Sequence, residues 1–182
     1  MKLNPTLWRT CRVLASEPRL QLLWLIFKEQ EVYVQQAAEQ TGMSVPNAST
    51  QLRALNARGL ISSRRKKMML FYRTEANSSV ESASALLDAL QICYKQKSSF
   101  KTLMHQATAF THERRIEIVR ILTDQTLAFH QLIEATGMST SALSRHLEKL
   151  EARGFVKYRN GVYQRATPGN PLGRALLKLA CG

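Results

Sequence analysis

Residues 41–60 read TGMSVPNASTQLRALNARGL, and residues 136–155 read TGMSTSALSRHLEKLEARGF. At a constant offset of 95, ten of these twenty positions are identical. They are Thr41/Thr136, Gly42/Gly137, Met43/Met138, Ser44/Ser139, Ser49/Ser144, Leu52/Leu147, Leu55/Leu150, Ala57/Ala152, Arg58/Arg153 and Gly59/Gly154. Chance does not produce such a run, so one device is encoded twice. Upstream, Arg19-Leu20-Gln21-Leu22-Leu23 matches Arg115-Ile116-Glu117-Ile118-Val119 at offset 96; downstream, the segments ending in Thr74 and Thr167 match at offset 93. The small changes of offset fall in turns, where insertion costs least.

The repeat dictates its local structure. Ser44 and Ser139 are placed to cap a helix, and Pro46 is tolerated in its first turn because that N–H has no helical partner. Ala48, Leu52 and Leu55, and Leu143, Leu147 and Leu150, fall on one face at i, i+4, i+7, and Arg58-Gly59 and Arg153-Gly154 stop the helix. Before it, a short helix over 34–40 or 129–135 ends at Thr-Gly, where glycine supplies a positive φ. Earlier still, Ser16 or Thr111 is expected to cap a helix whose apolar face is Leu20, Leu23, Phe27 or Ile116, Val119, Leu122. After it comes a hairpin. Phe155–Arg159 and Val162–Ala166 flank Asn160-Gly161, the strongest short hairpin signal, while Leu60–Ser63 and Met69–Arg73 flank a longer tip, Arg64-Arg65-Lys66-Lys67. Helix, turn, helix and two-stranded wing make a winged helix-turn-helix, twice over. The fold class expected is mainly α with small β-hairpin wings (α+β), as tandem units.

Further helices link the units. Ser78-Ser79-Val80-Glu81 has the capping-box pattern and opens a helix to about Lys97, with a seam of Val80, Ala83, Leu87, Leu90 and Tyr94 stepping 3-4-3-4. Ser98-Ser99 breaks it, and Phe100, Leu103, Ala107 and Phe110 mark the next, which corresponds to an N-terminal helix around 6–14. Asn170-Pro171 caps a terminal helix carrying Leu172, Leu176 and Leu179. The expected domains are 1–77, a first winged unit with its flanking helix; 78–110, linking helices; and 111–182, a second winged unit with its C-terminal helix.

Composition fits such a protein. The chain carries 45% hydrophobic and 21% charged residues, an ordinary globular balance, with a net charge of +13. Its longest apolar run, Leu20 to Phe27, is interrupted by Gln21 and far too short to span a bilayer. Met1-Lys2-Leu3-Asn4-Pro5 lacks the pattern of a secretory leader, and three scattered cysteines, Cys11, Cys93 and Cys181, suit a reducing compartment. A cytoplasmic, nucleoid-associated protein with no membrane partner is expected. The charge is localised: residues 40–74 hold seven basic and no acidic side chains, residues 136–182 hold eight and two, and the rest balances at eleven of each. Each excess covers one capped helix and its wing, which points to a polyanion gripped twice.

The stretch MSTSALSRHLEKLEARGFVKYRNGVYQRAT closely resembles the ArsR-type winged-helix transcription regulators, whose recognition helix and wing entry follow the pattern Ser-x-x-x-x-Ser-x-His-Leu-x-x-Leu-x-x-x-Gly-Phe/Leu-Val. The first unit keeps the serines, leucines and glycine but has Gln51 where the family often has histidine. The resemblance covers roughly residues 5–180. It is fairly specific for winged helices and less so for ArsR against the similar MarR type. It implies dimers joined through the helices flanking each winged core. Both flanking helices occur in both copies here, so an intramolecular pseudo-dimer is expected, further homodimerisation staying open; two beads on a string is the alternative.

A recognition helix presents its N-terminal residues to base edges in the major groove. The candidates are Ser44, Val45, Pro46, Asn47, Ser49, Thr50 and Arg53 in the first unit, and Ser139, Thr140, Ser141, Ser144, Arg145, His146 and Lys149 in the second. Asn47 suits adenine and Arg145 suits guanine, so the two heads should prefer different sequences. Arg64, Arg65, Lys66 and Lys67 on the first wing, with Arg159 and Arg165 on the second, suit phosphates or a minor groove. The expected function is a sequence-specific regulator binding double-stranded DNA, with repression as its sign. The alternative is a winged-helix module binding protein or RNA.

No metal site or cofactor is expected. The cysteines fall singly on flanking helices as small buried hydrophobes, with a Cys11–Cys93 redox link as the weaker reading. His105, His112, His130 and His146 have no tight ligand spacing. With no glycine-rich phosphate loop and no nucleophile elbow, no enzyme is expected either.

Overall fold

Both repeats fold as the local signals demand. The computed structural model describes residues 6–182; Met1–Pro5, read above for a leader pattern, lie outside the described residues. In the first unit α1 (Leu7–Leu14) is followed by α2 (Glu17–Glu29), β1 (Glu31–Tyr33), α3 (Val34–Thr41), α4 (Val45–Asn56), β2 (Ser62–Lys66) and β3 (Met69–Arg73). Next come α5 (Glu81–Lys95), α6 (Phe100–Ala107) and a 3-10 turn over Thr108–Phe110. The second unit contains α7 (Glu113–Ile121), α8 (Phe129–Thr136), α9 (Thr140–Ala152), β4 (Val156–Arg159), β5 (Val162–Arg165) and α10 (Pro171–Cys181).

The caps explain the boundaries. Ser44 and Ser139 each accept a backbone N–H, from Asn47 and Ala142 at 3.4 Å, and open α4 and α9. Gly42 and Gly137 close α3 and α8 at φ 68° and 61°, where any L side chain is strained. Asn160 and Gly161 both take positive φ, 52° and 82°, which makes β4–β5 a tight primed turn matched to strand twist.

Four expectations are corrected. The cap of α7 is His112, whose Nδ1 accepts from the Arg114 N–H at 3.1 Å, rather than Thr111; Ser16 opens α2 without a side-chain bond. The Ser78–Glu81 capping box does not form, because Asn77 Oδ1 takes the Ser79 N–H and hydroxyl, and α5 begins after Val80. In the first wing Arg64, Arg65 and Lys66 lie in β2, and the turn is Lys67-Met68 between the paired Lys66 and Met69. The first wing also has a third strand: β1 pairs antiparallel with β3, Val32 facing Tyr72, in the order β1-β3-β2. Its counterpart in the second unit shrinks to Leu127, which exchanges backbone bonds of 3.1 and 2.7 Å with Tyr163.

The buried stripes read from the sequence are the stripes found. Leu20, Leu23, Leu52 and Leu55, and Val119, Leu143, Leu147 and Leu150, are all buried. Core residues of both units and of the flanking helices form one continuous hydrophobic cluster. Across the units, α10 packs on α5 and α1 packs on α6 and the 3-10 turn that follows it. Within the second unit α10 also packs on α7, as α5 packs on α2 in the first. The buried face of α5 is wider than its seam, adding Leu86, Ala89 and Cys93. Cys11 and Cys93 are buried and Cys181 is half-buried, a correction to the expectation that all three are core groups; all are free thiols.

Candidate nucleic-acid interface

The two capped helices carry the candidate residues on their exposed faces. In α4, Val45, Pro46, Asn47, Thr50 and Arg53 are exposed and Ser49 is half-buried. In α9, Thr140, Ser141, Arg145 and Lys149 are exposed and Ser144 is half-buried, and both caps, Ser44 and Ser139, are exposed. Several side chains are already oriented. Gln51 donates to Asn47 Oδ1 at 2.8 Å, leaving the Asn47 amide N–H₂ outward, and Arg53 and Arg145 each donate to a carbonyl one turn back, Ser49 and Ser141. Ser144 donates to Glu148 at 3.1 Å, which puts a carboxylate on the face of the second helix that the first lacks.

The arginines at matched positions of the two repeats share one use, and Arg19 also reaches the capped helix. Arg19 donates from Nε to Gln51 at 2.8 Å and from Nη1 to the carbonyls of Arg12 and Val13, both at 3.4 Å. At offset 96, Arg115 donates to the carbonyls of Thr108, at 3.2 Å, and Ala109. It also donates to the Thr111 hydroxyl at 2.7 Å. In both units a guanidinium satisfies the open carbonyls at the end of the preceding helical segment. Arg115 is buried among neutral acceptors, and that burial lowers its pKa.

His146 is half-buried, as Ser144 is, and also has a partner behind the helix. It occupies the place of Gln51, half-buried, with its ring 4.8 Å from that of His112 at the start of α7. Burial, with the His112, Arg115, Arg145 and Lys149 charges adding to it, pushes its pKa down to about 4, so it is neutral at ordinary pH. Its ring lies against that of His112, where α7 packs on α9.

The wings differ. Arg64 and Lys66 project to one face of β2 at i, i+2 and both bond Glu31 of β1, Arg64 Nε at 2.9 Å. Hydrogen bonds from Lys66 and then Arg64 hold that carboxyl below its usual range. Lys66 Nζ also lies 4.9 Å over the Phe71 ring. Arg65 faces the other way and Lys67 sits in the turn; neither has an ion-pair partner among the described residues. Thus two of the four cations are tethered by one carboxylate, which offsets a single charge of the run. On the second wing Arg159 and Arg165 are exposed, and Arg165 donates to Cys181 Sγ at 3.5 Å. Asn56, at the end of α4, donates to Ser63 of β2 at 3.2 Å and ties wing to helix.

Sequence reasoning missed Glu31, Met68 and the Arg19–Gln51–Asn47 relay. Only the charge of Glu31 between two apolar elements hinted at a partner; nothing local marked the other two. Among the described residues no group of three or more His, Cys, Asp or Glu is placed to hold a metal ion, and no helix is long and apolar enough to cross a membrane.

Comparison with known proteins gives two findings. The family described as "Bacterial regulatory protein, arsR family" matches this chain twice, over residues 16–63 and 112–158. The HTH-type transcriptional regulator KmtR of Mycobacterium tuberculosis is 38% identical over 64 residues, a stretch that is 35% of this chain and 48% of that relative. The match thus spans about half the length of the relative. No solved structure matches.

Proposed function

We propose, from the premise that this chain belongs to the arsR family of bacterial regulatory proteins, that it is a transcription regulator binding double-stranded DNA in a sequence-specific way, and that it acts as a repressor. The observation that carries the reading is the arrangement of the two repeats: each sets a serine-capped helix with an exposed polar N-terminal face beside a basic hairpin. In this reading Ser44, Val45, Pro46, Asn47, Ser49, Thr50 and Arg53 read one half-site. Ser139, Thr140, Ser141, Ser144, Arg145 and Lys149 read the other. Arg65, Lys67, Arg159 and Arg165 hold phosphates, and Arg64 and Lys66 join them when Glu31 yields them. His146 acts from behind the second helix. The chain works as a pseudo-dimer, its domains meeting through 78–110 and α10, which is supported by the packing of α10 on α5 and of α1 on α6. It acts in the cytoplasm on the nucleoid.

A homodimer needs a palindrome because its two heads are the same; these heads are not, and each bidentate base contact discriminates by about 1–3 kcal/mol. Selection from a random duplex library should therefore return two unlike half-sites, bound by a monomer. Arg145→Ala should relax one position. Arg65→Ala with Lys67→Ala should flatten the log-affinity against log-salt slope by roughly 0.9 for each phosphate that is no longer neutralised. Recovery of no enriched motif, with affinity equal to that for bulk DNA, overturns the specific-regulator reading.

A further inference from the structure

The first wing ends in a side chain that neither phosphate contact nor base reading uses. Met68, the second residue of the β2–β3 turn, is 97% exposed, and the next two residues, Met69 and Leu70, are exposed as well. Lys67 before it holds φ at 54°, the left-handed region that glycine or asparagine adopts at least cost. The second wing fills the equivalent turn with Asn160-Gly161 and so ends without an apolar side chain at its tip. The first wing thus presents an apolar tip flanked by Arg65 and Lys67. The Asn56–Ser63 bond carries that tip at a fixed place beside α4.

We propose that Met68 is a minor-groove wedge: it enters a base step next to the first half-site, partly unstacks it and kinks the duplex, while Arg65 and Lys67 follow the flanking phosphates. The proposal rests on the duplex-DNA reading above. Apolar residues among cations are the means by which proteins pry base steps apart from the minor groove, and an unbranched thioether adapts to an irregular gap. Charge complementarity selects the occupant: the tip is ringed by cations, and the helix it is tied to presents polar side chains suited to base edges. Pyrimidine–purine steps unstack most easily, so TA or CA/TG is expected under the first wing and no such preference under the second.

The test uses the full chain and a mixed-sequence duplex series carrying 2-aminopurine at TA, CA or AA steps, with end labels for energy transfer. The wild-type chain should raise 2-aminopurine fluorescence at TA and CA steps and shorten the end-to-end distance, as a kink of roughly 20–90° does. Met68→Ala should abolish both signals while the salt slope stays unchanged, and Arg65→Ala with Lys67→Ala should reduce the slope. Wild-type binding without a fluorescence rise, or a rise that Met68→Ala leaves intact, overturns the wedge and leaves the DNA reading standing. Failure to bind any duplex removes both. Met68-dependent binding to phosphatidylserine vesicles with no duplex bending assigns the tip to lipid and overturns the wedge as well.

Discussion

His146 shows how a residue's neighbours decide its role. Its position in the repeat is that of Gln51, and both side chains back the exposed face of their helix. Gln51 bridges the Arg19 cation to Asn47 through its amide, whereas His146 packs at a tilt against a second imidazole close to Arg115. The native pKa of about 4 lies below the ordinary 6.5, so between these values the unfolded chain binds more protons than the folded one. Stability supplied by neutral His146 is complete above about pH 6.5 and is lost as pH falls toward 4. Thermal unfolding followed from about pH 7 to about pH 5 should show a falling Tm, and His146→Gln should flatten that dependence. An unchanged slope in the variant removes His146 as the cause. Arg115 is a different case: it has only neutral acceptors around it, so Arg115→Ala strands helix-end carbonyls and should cost about 2–3 kcal/mol in urea denaturation.

Among the elements, the turns between recognition helix and wing look alike in sequence and differ in packing. Gly59 and Gly154 both adopt positive φ, 69° and 75°. A Cβ on Gly59 would meet Val80 at 3.0 Å and Asn77 at 3.1 Å, since the chain leading into α5 folds back over the turn and Asn77 donates its N–H to the Gly59 carbonyl. A Cβ on Gly154 meets nothing. Gly154→Ala should cost only the left-handed backbone, about 1–2 kcal/mol; Gly59→Ala should cost clearly more, read as a larger drop in urea midpoint. Equal drops count against the packing asymmetry. The wings diverge in the same way. One is a three-stranded sheet with a carboxylate built into it, the other a bare hairpin buttressed by one bridge at Leu127.

At the scale of the whole molecule, the flanking helices decide whether two repeats behave as one protein. Leu86, Leu90 and Cys93 of α5 and Leu172 and Leu176 of α10 belong to one buried cluster, and an aromatic group of Trp24, Phe27, Tyr94 and Phe100 joins α2, α5 and α6. A domain-by-domain chain would unfold in two steps; this packing predicts one, with calorimetric and van't Hoff enthalpies equal. Leu176→Asp buries a charge in the α5–α10 contact and should cost at least about 4 kcal/mol. Amide exchange should then report weakened protection in both units. Weakening confined to the second unit would favour two independent beads.

Much of the fold was legible in the sequence, because its signals are local. A capping serine ahead of an apolar stripe, a Thr-Gly stop and an Asn-Gly turn each act within a turn or two of the chain, and the repetition of the first two at offset 95 marks the tandem plan. The candidate site was legible only as a set of residue types. Which cations stay free depends on Glu31, whose partners Arg64 and Lys66 lie 33 and 35 residues away. Which polar residues turn outward depends on α7 and α2, which claim His146 and Gln51 from behind. Such choices are made by contacts distant in sequence, for which periodicity carries no information. The sequence by itself determined two winged helices with a localised positive charge; the tertiary structure decided how much of that charge is already balanced, which wing has an apolar tip, and that the two units share one core.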